Sequence, residues 1–183
     1  KLSPCTLQND AVHLVITGGE PLLKGFQPAL RELIYHPDVF TRFVTFETNG
    51  TQIFTYDNDV EYIRKFGVNK NSGVTWSVSP KLSNSGEKWE EAIRPEALAS
   101  YNAWPYSYLY LKFVVRDEED MKEVHEAVRE YDHARVNIDA IYLMPETGPH
   151  GMYDYEVAQL ALKYGYKFSP RLQINLFGNE WGT

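Results

Sequence analysis

The chain has 183 residues and a mass of 21.1 kDa, a length that favours one compact domain over residues 1–183. Hydrophobic residues make up 43% and charged residues 23%, a composition that excludes disorder, collagen and coiled coil. The formal net charge of -7 disfavours general nucleic-acid binding, because a protein that neutralises many phosphates needs a basic surface.

Cysteine content and hydropathy bear on location. One cysteine cannot form a disulfide framework, and it fits a reducing cytoplasm better than a secreted setting. The residues from Lys1 to Asp10 lack the apolar core of a signal peptide, and no segment approaches the roughly 20 apolar residues that span a bilayer. We therefore expect a cytoplasmic protein with neither a membrane partner nor a nucleic-acid partner.

Short apolar, β-branched runs alternate along the chain with stretches of helical periodicity. Strands separated by helices predict right-handed crossovers and a mostly parallel sheet, either doubly wound or curled into a partial or full barrel. The predicted strands are 12–17, 43–47, 73–78, 108–115, 138–143 and 171–177. The predicted helices are 26–34, a segment from 57 or 58 to 66, one beginning near 117, and 153–164, with one or two short helices within 82–106.

The periodicity also predicts which side chains face the core. These are Leu30, Leu33 and Ile34 of the first helix, Val60, Ile63 and Phe66 of the second, Met121, Val124 and Val128 of the third, and Val157, Leu160 and Ala161 of the last.

Several polar and aromatic residues have a structural interpretation. His13 lies within a predicted strand and is interpreted as a hydrogen-bonded core histidine. The acids from Asp117 to Asp120 are interpreted as the solvated start of a helix. Tyr106, Tyr108 and Tyr110 share the period of one strand face, which indicates sheet packing.

Four predicted strands end in clusters of glycine, proline or polar residues. Strand ends are usually turns, so a single cluster carries little information. In a parallel α/β sheet, however, ligands bind beyond the carboxyl ends of the strands, and four clusters at one rim predict a binding site there. The clusters are Thr17-Gly18-Gly19-Glu20-Pro21, Glu47-Thr48-Asn49-Gly50, Ser79-Pro80-Lys81 and Met144-Pro145-Glu146-Thr147-Gly148.

The residue types of these clusters suit an amino-acid-bearing nucleoside. Gly18 and Gly19 let the backbone approach a ligand closely. Glu20 can pair with an ammonium group and Lys81 with a carboxylate, although Lys81 is equally consistent with a solvated turn. Asn49 or Glu47 can bond ribose hydroxyls.

Thr17-Gly18-Gly19-Glu20-Pro21-Leu22-Leu23 resembles the glycine-rich motif of radical S-adenosylmethionine enzymes. Within that superfamily the order and spacing of further motifs resemble the 7-carboxy-7-deazaguanine synthases. These motifs are Glu47-Thr48-Asn49-Gly50-Thr51, Ser79-Pro80-Lys81, Leu111-Lys112-Phe113-Val114-Val115, Leu143-Met144-Pro145-Glu146 and Ser169-Pro170-Arg171-Leu172-Gln173.

The resemblance implies an abbreviated, partial (β/α) barrel that converts 6-carboxy-5,6,7,8-tetrahydropterin to 7-carboxy-7-deazaguanine with loss of ammonia, a step towards queuosine. It implies S-adenosylmethionine, a [4Fe-4S] cluster and Mg²⁺ as cofactors, and an electron donor such as flavodoxin or ferredoxin. It further implies that Thr17 and the C-terminal Thr183 contact the pterin. The implied S-adenosylmethionine contacts are Gly18, Gly19, Glu20, Glu47, Asn49, Ser79, Pro80, Lys81, Met144, Pro145, Glu146 and Thr147.

The cysteines depart from the pattern of the superfamily, which holds its cluster through C-x-x-x-C-x-x-C or a variant. Cys5 is the only cysteine, so the chain lacks the thiolates for a cluster. Of two explanations, a fragment without its cluster-binding N-terminal portion is favoured over a natural relative that has lost the chemistry. A missing strand would leave an exposed sheet edge, which favours self-association and leaves a homodimer open.

Two other functions stay open at this point. One is a clusterless module that binds S-adenosylmethionine or a pterin without turnover. The other is a radical activase that acts on a protein, which the Ser169 to Leu172 segment and the ending at Trp181-Gly182-Thr183 disfavour.

Overall fold

A computed structural model describes residues 13–36, 43–56, 73–146 and 154–172 of the chain. They form an all-parallel sheet of six strands whose spatial order repeats the chain order. The strands are β1 His13–Ile16, β2 Phe43–Thr48, β3 Gly73–Val78, β4 Tyr108–Val115, β5 Ala140–Pro145 and β6 Lys167–Phe168.

Helices connect the strands and cover one face of the sheet. Asp117 caps the longest described helix, because its carboxylate accepts hydrogen bonds from the backbone N–H groups of Glu119 and Asp120. The helices are α1 Gln27–Tyr35, α2 Trp89–Ala92, α3 Pro95–Asn102, α4 Glu118–His133 and α5 Asp154–Tyr164, with a 3-10 turn at Ser83–Ser85. The architecture is the expected α/β fold, a partial (β/α) barrel.

The core lies between the sheet and these helices, and its centre is aromatic. The Trp76 ring stacks on Phe46 with centroids 4.9 Å apart and on Tyr101 with centroids 4.6 Å apart. Trp104 meets Trp76 edge to face at 5.6 Å, and its indole N–H donates to the Phe54 carbonyl. These large buried rings pack β2 and β3, whose ends carry part of the candidate site, against α3 and the segments beside it.

The predicted strand at 108–115 is confirmed to the residue, but two others are displaced. β5 runs from Ala140 to Pro145 instead of 138–143, because the preceding Asp139 uses its side chain to accept from the Leu109 backbone N–H. β6 begins at Lys167, and Arg171 and Leu172 lie outside it, which corrects the prediction of a strand at 171–177. Gly165, at a φ of +70°, ends α5 and returns the chain directly to the sheet. Residues 173–177 lie outside the described residues.

The core predictions are mostly confirmed. Leu30 and Ile34 are buried on α1, whereas Leu33 is 39% exposed. Met121 and Val124 are buried and Val128 packs against the core. The inward residues of α5, namely Val157, Leu160 and Ala161, are buried, and the predicted helix from 57 or 58 to 66, with Val60, Ile63 and Phe66, lies outside the described residues.

The interpretation of three polar positions is wrong in part. His13 is exposed rather than in the core, because β1 has no described strand on its outer side; its Nε2 lies 2.7 Å from Thr45 Oγ1. Asp120 is buried rather than solvated, since Arg116 folds over it. Tyr108 and Tyr110 do pack with centroids 6.1 Å apart, but Tyr106 precedes the strand in a left-handed turn at a φ of 55°.

No helix in the described parts of the chain has the length and apolar character needed to cross a membrane.

Candidate functional site

The face of the sheet opposite the helices is polar near the carboxyl ends of the strands. Alternate residues of β4 are buried under the helices, so the residues between them face the other side. Lys112 and Val114 belong to that second set, and the strand register places Ser77 beside Glu47 on the same face. The structure therefore gathers side chains from neighbouring strands at one rim, as predicted.

A cavity of about 460 Å³ opens at this rim. Its volume is within the range typical of small-molecule sites, and its wall is more polar than usual. It is lined by Thr17, Gly19, Glu47, Thr48, Asn49, Ser77, Ser79, Lys81, Lys112, Val114, Met144 and Arg171.

Glu20 holds the turn after β1 against the turn after β2. Its Oε1 accepts hydrogen bonds from the Leu22 backbone N–H at 3.0 Å and from the Thr48 hydroxyl at 2.8 Å. Its Oε2 accepts from the Asn49 backbone N–H at 2.7 Å. The carboxylate of the glycine-rich motif is therefore bonded to the protein on both oxygens.

Glu47 and Asn49 occupy the adjoining wall. The Thr17 hydroxyl donates to Glu47 Oε2 at 3.1 Å, which joins the expected pterin contact to an expected S-adenosylmethionine contact. Asn49 Oδ1 accepts from both the backbone N–H and the hydroxyl of Thr51, so the side-chain oxygen stabilises its own turn.

The end of β3 contributes the cationic side of the site. The Ser79 hydroxyl donates to the Lys112 carbonyl at 2.9 Å, which ties the end of β3 to β4. Pro80 is buried and Lys81 is exposed. Lys81 and Arg171 also line a second cavity of about 300 Å³, which includes Glu146 and Pro80, so the two cavities adjoin.

An ion pair between the buried Asp120 and the partly exposed Arg116 supports the wall of the second cavity. Arg116 Nη2 lies 3.0 Å from Asp120 Oδ1, and Asn84 Nδ2 donates to Asp120 Oδ2 at 3.2 Å. Burial alone would raise the pKa of Asp120, but the hydrogen bonds from Arg116 and Asn84 outweigh it and hold the pKa below its usual value. The Arg116 guanidinium also lies 3.8 Å from Glu146, so this network helps to place the end of β5.

Two tyrosines lie two residues before Lys112 and Met144, on the same face of β4 and β5. The rings of Tyr110 and Tyr142 meet edge to face with centroids 5.2 Å apart. Burial, aided by the charge of Glu47, raises the pKa of Tyr110 above its usual value. Tyr110 is therefore a neutral phenol at physiological pH.

Most of the predicted site residues are close together. Thr17, Gly19, Glu47, Asn49, Ser79, Lys81 and Met144 line the first cavity, and Pro80 and Glu146 line the second. Three other predicted residues line neither cavity. Gly18 forms the turn after β1 at a φ of +95°, Glu20 bonds this turn to the turn after β2, and Pro145 is buried as the last residue of β5. Thr147 and Thr183 lie outside the described residues.

Sequence reasoning missed five residues that line the first cavity. Lys112 carried a usable signal, because a lysine within the apolar run Tyr108–Val115 alternates onto the face away from the core. Arg171 lies in the motif Ser169-Pro170-Arg171-Leu172-Gln173, for which the family resemblance implies no ligand contact. The missed residues are Thr48, Ser77, Lys112, Val114 and Arg171.

The residues present fit S-adenosylmethionine but not an iron-sulfur cluster. A carboxylate and several cations face one polar cavity, which matches a ligand bearing an ammonium, a carboxylate and ribose hydroxyls. The chain has a single cysteine, whereas [4Fe-4S] clusters are held by several thiolates. Among the described residues no group of three or more His, Cys, Asp or Glu side chains is placed to bind a metal ion.

Comparisons with known proteins identify relatives of this chain that share one name. The chain is 32% identical to the 7-carboxy-7-deazaguanine synthase of Halobacterium salinarum, over 92% of this chain and 66% of the relative. It is 30% identical to the protein of that name from Pyrobaculum aerophilum, over 93% of this chain and 67% of the relative, and 29% identical to that of Rhodopirellula baltica.

The chain spans about two thirds of the length of the curated relatives that it matches, between 63% and 67%. No family model and no solved structure matches it. The extent and identity of the matches to the named relatives, together with the motif residues at the rim, show that the chain belongs to the 7-carboxy-7-deazaguanine synthase family.

Proposed function

We propose that this chain forms the ligand-binding rim of an enzyme that converts 6-carboxy-5,6,7,8-tetrahydropterin to 7-carboxy-7-deazaguanine with loss of ammonia. One observation carries the proposal: the strand-end motifs shared with the family line a single cavity of about 460 Å³. The reaction is inferred from membership of the family. The position of the site is inferred from the cavity that these residues line. The whole of residues 1–183 would form one domain of that enzyme, in the cytoplasm.

In this proposal the cavity holds S-adenosylmethionine along the ends of β2, β3 and β5. The Lys81 ammonium is placed to neutralise a carboxylate, and Glu47 can accept hydrogen bonds from ribose hydroxyls. Gly19 has no side chain, and a Cβ at that position would meet open space, so the ligand can approach the backbone there. Glu20, whose oxygens bond the protein, would support the turn beside the amino group.

Bound S-adenosylmethionine supplies the radical chemistry that starts the ring contraction, and the chain supplies the positioning. The Thr17 hydroxyl, oriented by Glu47, would contact the pterin beside the nucleoside. Holding two ligands in one cavity makes their reaction effectively intramolecular, and a closed cavity keeps water from reactive species. Met144 and Glu146 would close the β5 side, whereas Pro145 and Thr147 as ligand contacts rest on the family resemblance.

The other expected components remain proposals. The thiolates of a [4Fe-4S] cluster would have to come from residues other than the single cysteine here. Mg²⁺ commonly keeps several waters and takes one or two carboxylates plus substrate oxygens, so it would not require a three-residue cluster. Thr183 as a pterin contact, a flavodoxin or ferredoxin as electron donor, and a homodimer rest on the family resemblance alone.

Binding of S-adenosylmethionine or a pterin without turnover is the second candidate, because the polar cavity by itself suffices for binding. One experiment separates the two. The protein is produced with any residues that its gene encodes before Lys1, reconstituted with iron and sulfide, and given 6-carboxy-tetrahydropterin, S-adenosylmethionine and reductant. The synthase releases ammonia and deazaguanine in equal amounts. An intact cluster with bound ligands and no product would reject the synthase and leave the binding module.

A further inference from the structure

Lys112 is a partly buried lysine with no ionic partner among the described residues. It lies on β4 between Leu111 and Phe113, both fully buried, and faces the cavity on the opposite side of the sheet. Alternation along β4 therefore directs the Lys112 side chain into the cavity and away from the apolar core. Its presence inside a cavity therefore indicates a ligand.

Three lysines on the outer surface of the described chain behave differently. Lys88, Lys122 and Lys163 pair with the neighbouring carboxylates of Glu91, Glu119 and Glu118 on the outer surface. Lys112 has no carboxylate within ion-pair distance among the described residues, although Glu47 lines the same cavity.

The fixed position of Lys112 adds to the argument. Its carbonyl accepts a hydrogen bond from Ser79, and its backbone pairs with Tyr142 in the β5 register. The strand is therefore held on both sides, while the ammonium remains available at the end of the side chain. Arg171 and Lys81 also line this wall, so the wall is positively charged.

We propose that the ammonium of Lys112 binds a carboxylate of a ligand in this cavity. The inference rests on the proposed function for the identity of the ligands, because both S-adenosylmethionine and 6-carboxy-tetrahydropterin carry a carboxylate. A single ammonium matches one carboxylate as a charge-assisted hydrogen bond. With Lys81 on the same wall, each of two bound carboxylates would have a lysine.

The test compares each ligand with its analogue that lacks the carboxylate. 6-Carboxypterin is paired with pterin in a fluorescence titration, and S-adenosylmethionine with its decarboxylated form in equilibrium dialysis. The complete protein is measured as wild type, Lys112→Gln, Lys112→Arg and Lys122→Gln, the last being a matched control on the outer face of α4. Circular dichroism verifies folding. If Lys112→Gln does not fold, Lys112→Met replaces it, since it keeps the length of the side chain without the charge.

Lys112→Gln is expected to weaken binding of one acidic ligand by about tenfold to a hundredfold and to leave its decarboxylated analogue unchanged. Lys112→Arg should restore most of the affinity, and Lys122→Gln should match the wild type. The ligand that loses affinity identifies which carboxylate Lys112 binds.

Equal losses for an acid and its analogue, or no loss for either acid, would overturn the assignment. Such a result would leave the proposed function intact if the wild type still forms product. Conversely, a carboxylate-dependent loss in a protein that forms no product would support the role of Lys112 and reject the synthase activity.

Discussion

The Glu20 carboxylate lies 2.7 Å from the backbone nitrogen of Asn49 and accepts its hydrogen. The acidic residue of the glycine-rich motif thus joins the first two strand-end turns through a bond within the protein. A residue expected to meet the ligand also holds the site together, and this gives it two separable effects.

Glu20→Gln should destabilise the fold. The amide oxygen can replace only one carboxylate oxygen, and the amide NH₂ would face a backbone donor at Asn49 or the donors at Leu22 and Thr48. An unsatisfied donor of this kind costs about 1–3 kcal/mol, measurable by urea unfolding. Thr48→Val removes one of the same bonds, together with the bond that the Thr48 hydroxyl accepts from the Gly50 backbone N–H, and it leaves the Glu20 charge in place. Equal stability of Glu20→Gln and the wild type would contradict the supporting role.

Lys81→Ala should weaken binding of S-adenosylmethionine. Loss of a charge-assisted hydrogen bond to a carboxylate raises Kd by about tenfold to a hundredfold, which calorimetry can follow. Lys88→Ala is the matched control, because that lysine is exposed and pairs with Glu91 outside both cavities. Unchanged affinity in Lys81→Ala would remove this lysine from the site.

Gly50→Ala should be much more destabilising than Gly86→Ala. Both glycines have positive φ, at 80° and 82°, so both substitutions carry the same backbone strain. A Cβ at Gly50 would lie 2.6 Å from Val78 Cγ1, whereas one at Gly86 meets no atom within 4 Å. Because valine is stiff, we expect an additional loss of about 1–3 kcal/mol for Gly50→Ala in thermal or urea unfolding. Similar losses of unfolding free energy in the two variants would show that Val78 can shift to accommodate a Cβ at Gly50 at little cost.

Asp120→Asn should change how stability depends on pH. The folded pKa of Asp120 lies below its usual value of 3.8, so the ionised carboxylate stabilises the fold fully above about pH 5. This contribution is lost as the pH falls through 3.8 towards the folded pKa, because the unfolded chain takes up the proton first.

The variant should therefore be less stable at pH 7 by about 1–3 kcal/mol, a loss moderated by the partial exposure of Arg116. The gap between wild type and variant should narrow between about pH 5 and pH 3, measured by urea unfolding at each pH. Asp132→Asn, at an exposed position of α4, controls for the change in net charge. A constant gap across that range would mean that the Asp120 pKa does not differ between the folded and unfolded chain.

Local pattern was sufficient to predict most of the fold. β4 matched its prediction because alternation from Tyr108 to Val115 is long and the helix that follows has a clear Asp117 cap. β6 was misplaced because it has two residues, too few for a periodic signal, and because the run after Pro170 looks more strand-like.

The site was partly predictable for a similar reason. Clusters of glycine, proline and polar residues mark strand ends. The clusters that contain Thr17, Asn49 and Lys81 could therefore be assigned to one rim of the sheet. Sequence could not show that Glu20 bonds the neighbouring turn, since that partner lies 29 positions away. His13 was misjudged because a strand at the edge of a sheet and one at its centre have the same local pattern.

Because spatial order follows chain order across the sheet, each strand joins one that was synthesised just before it. Among the six described strands, none has to wait for a distant C-terminal strand, so the entropy cost of loop closure remains modest at each addition. We expect the barrel to assemble vectorially on the ribosome, strand by strand, with the open face completed as the last turns emerge.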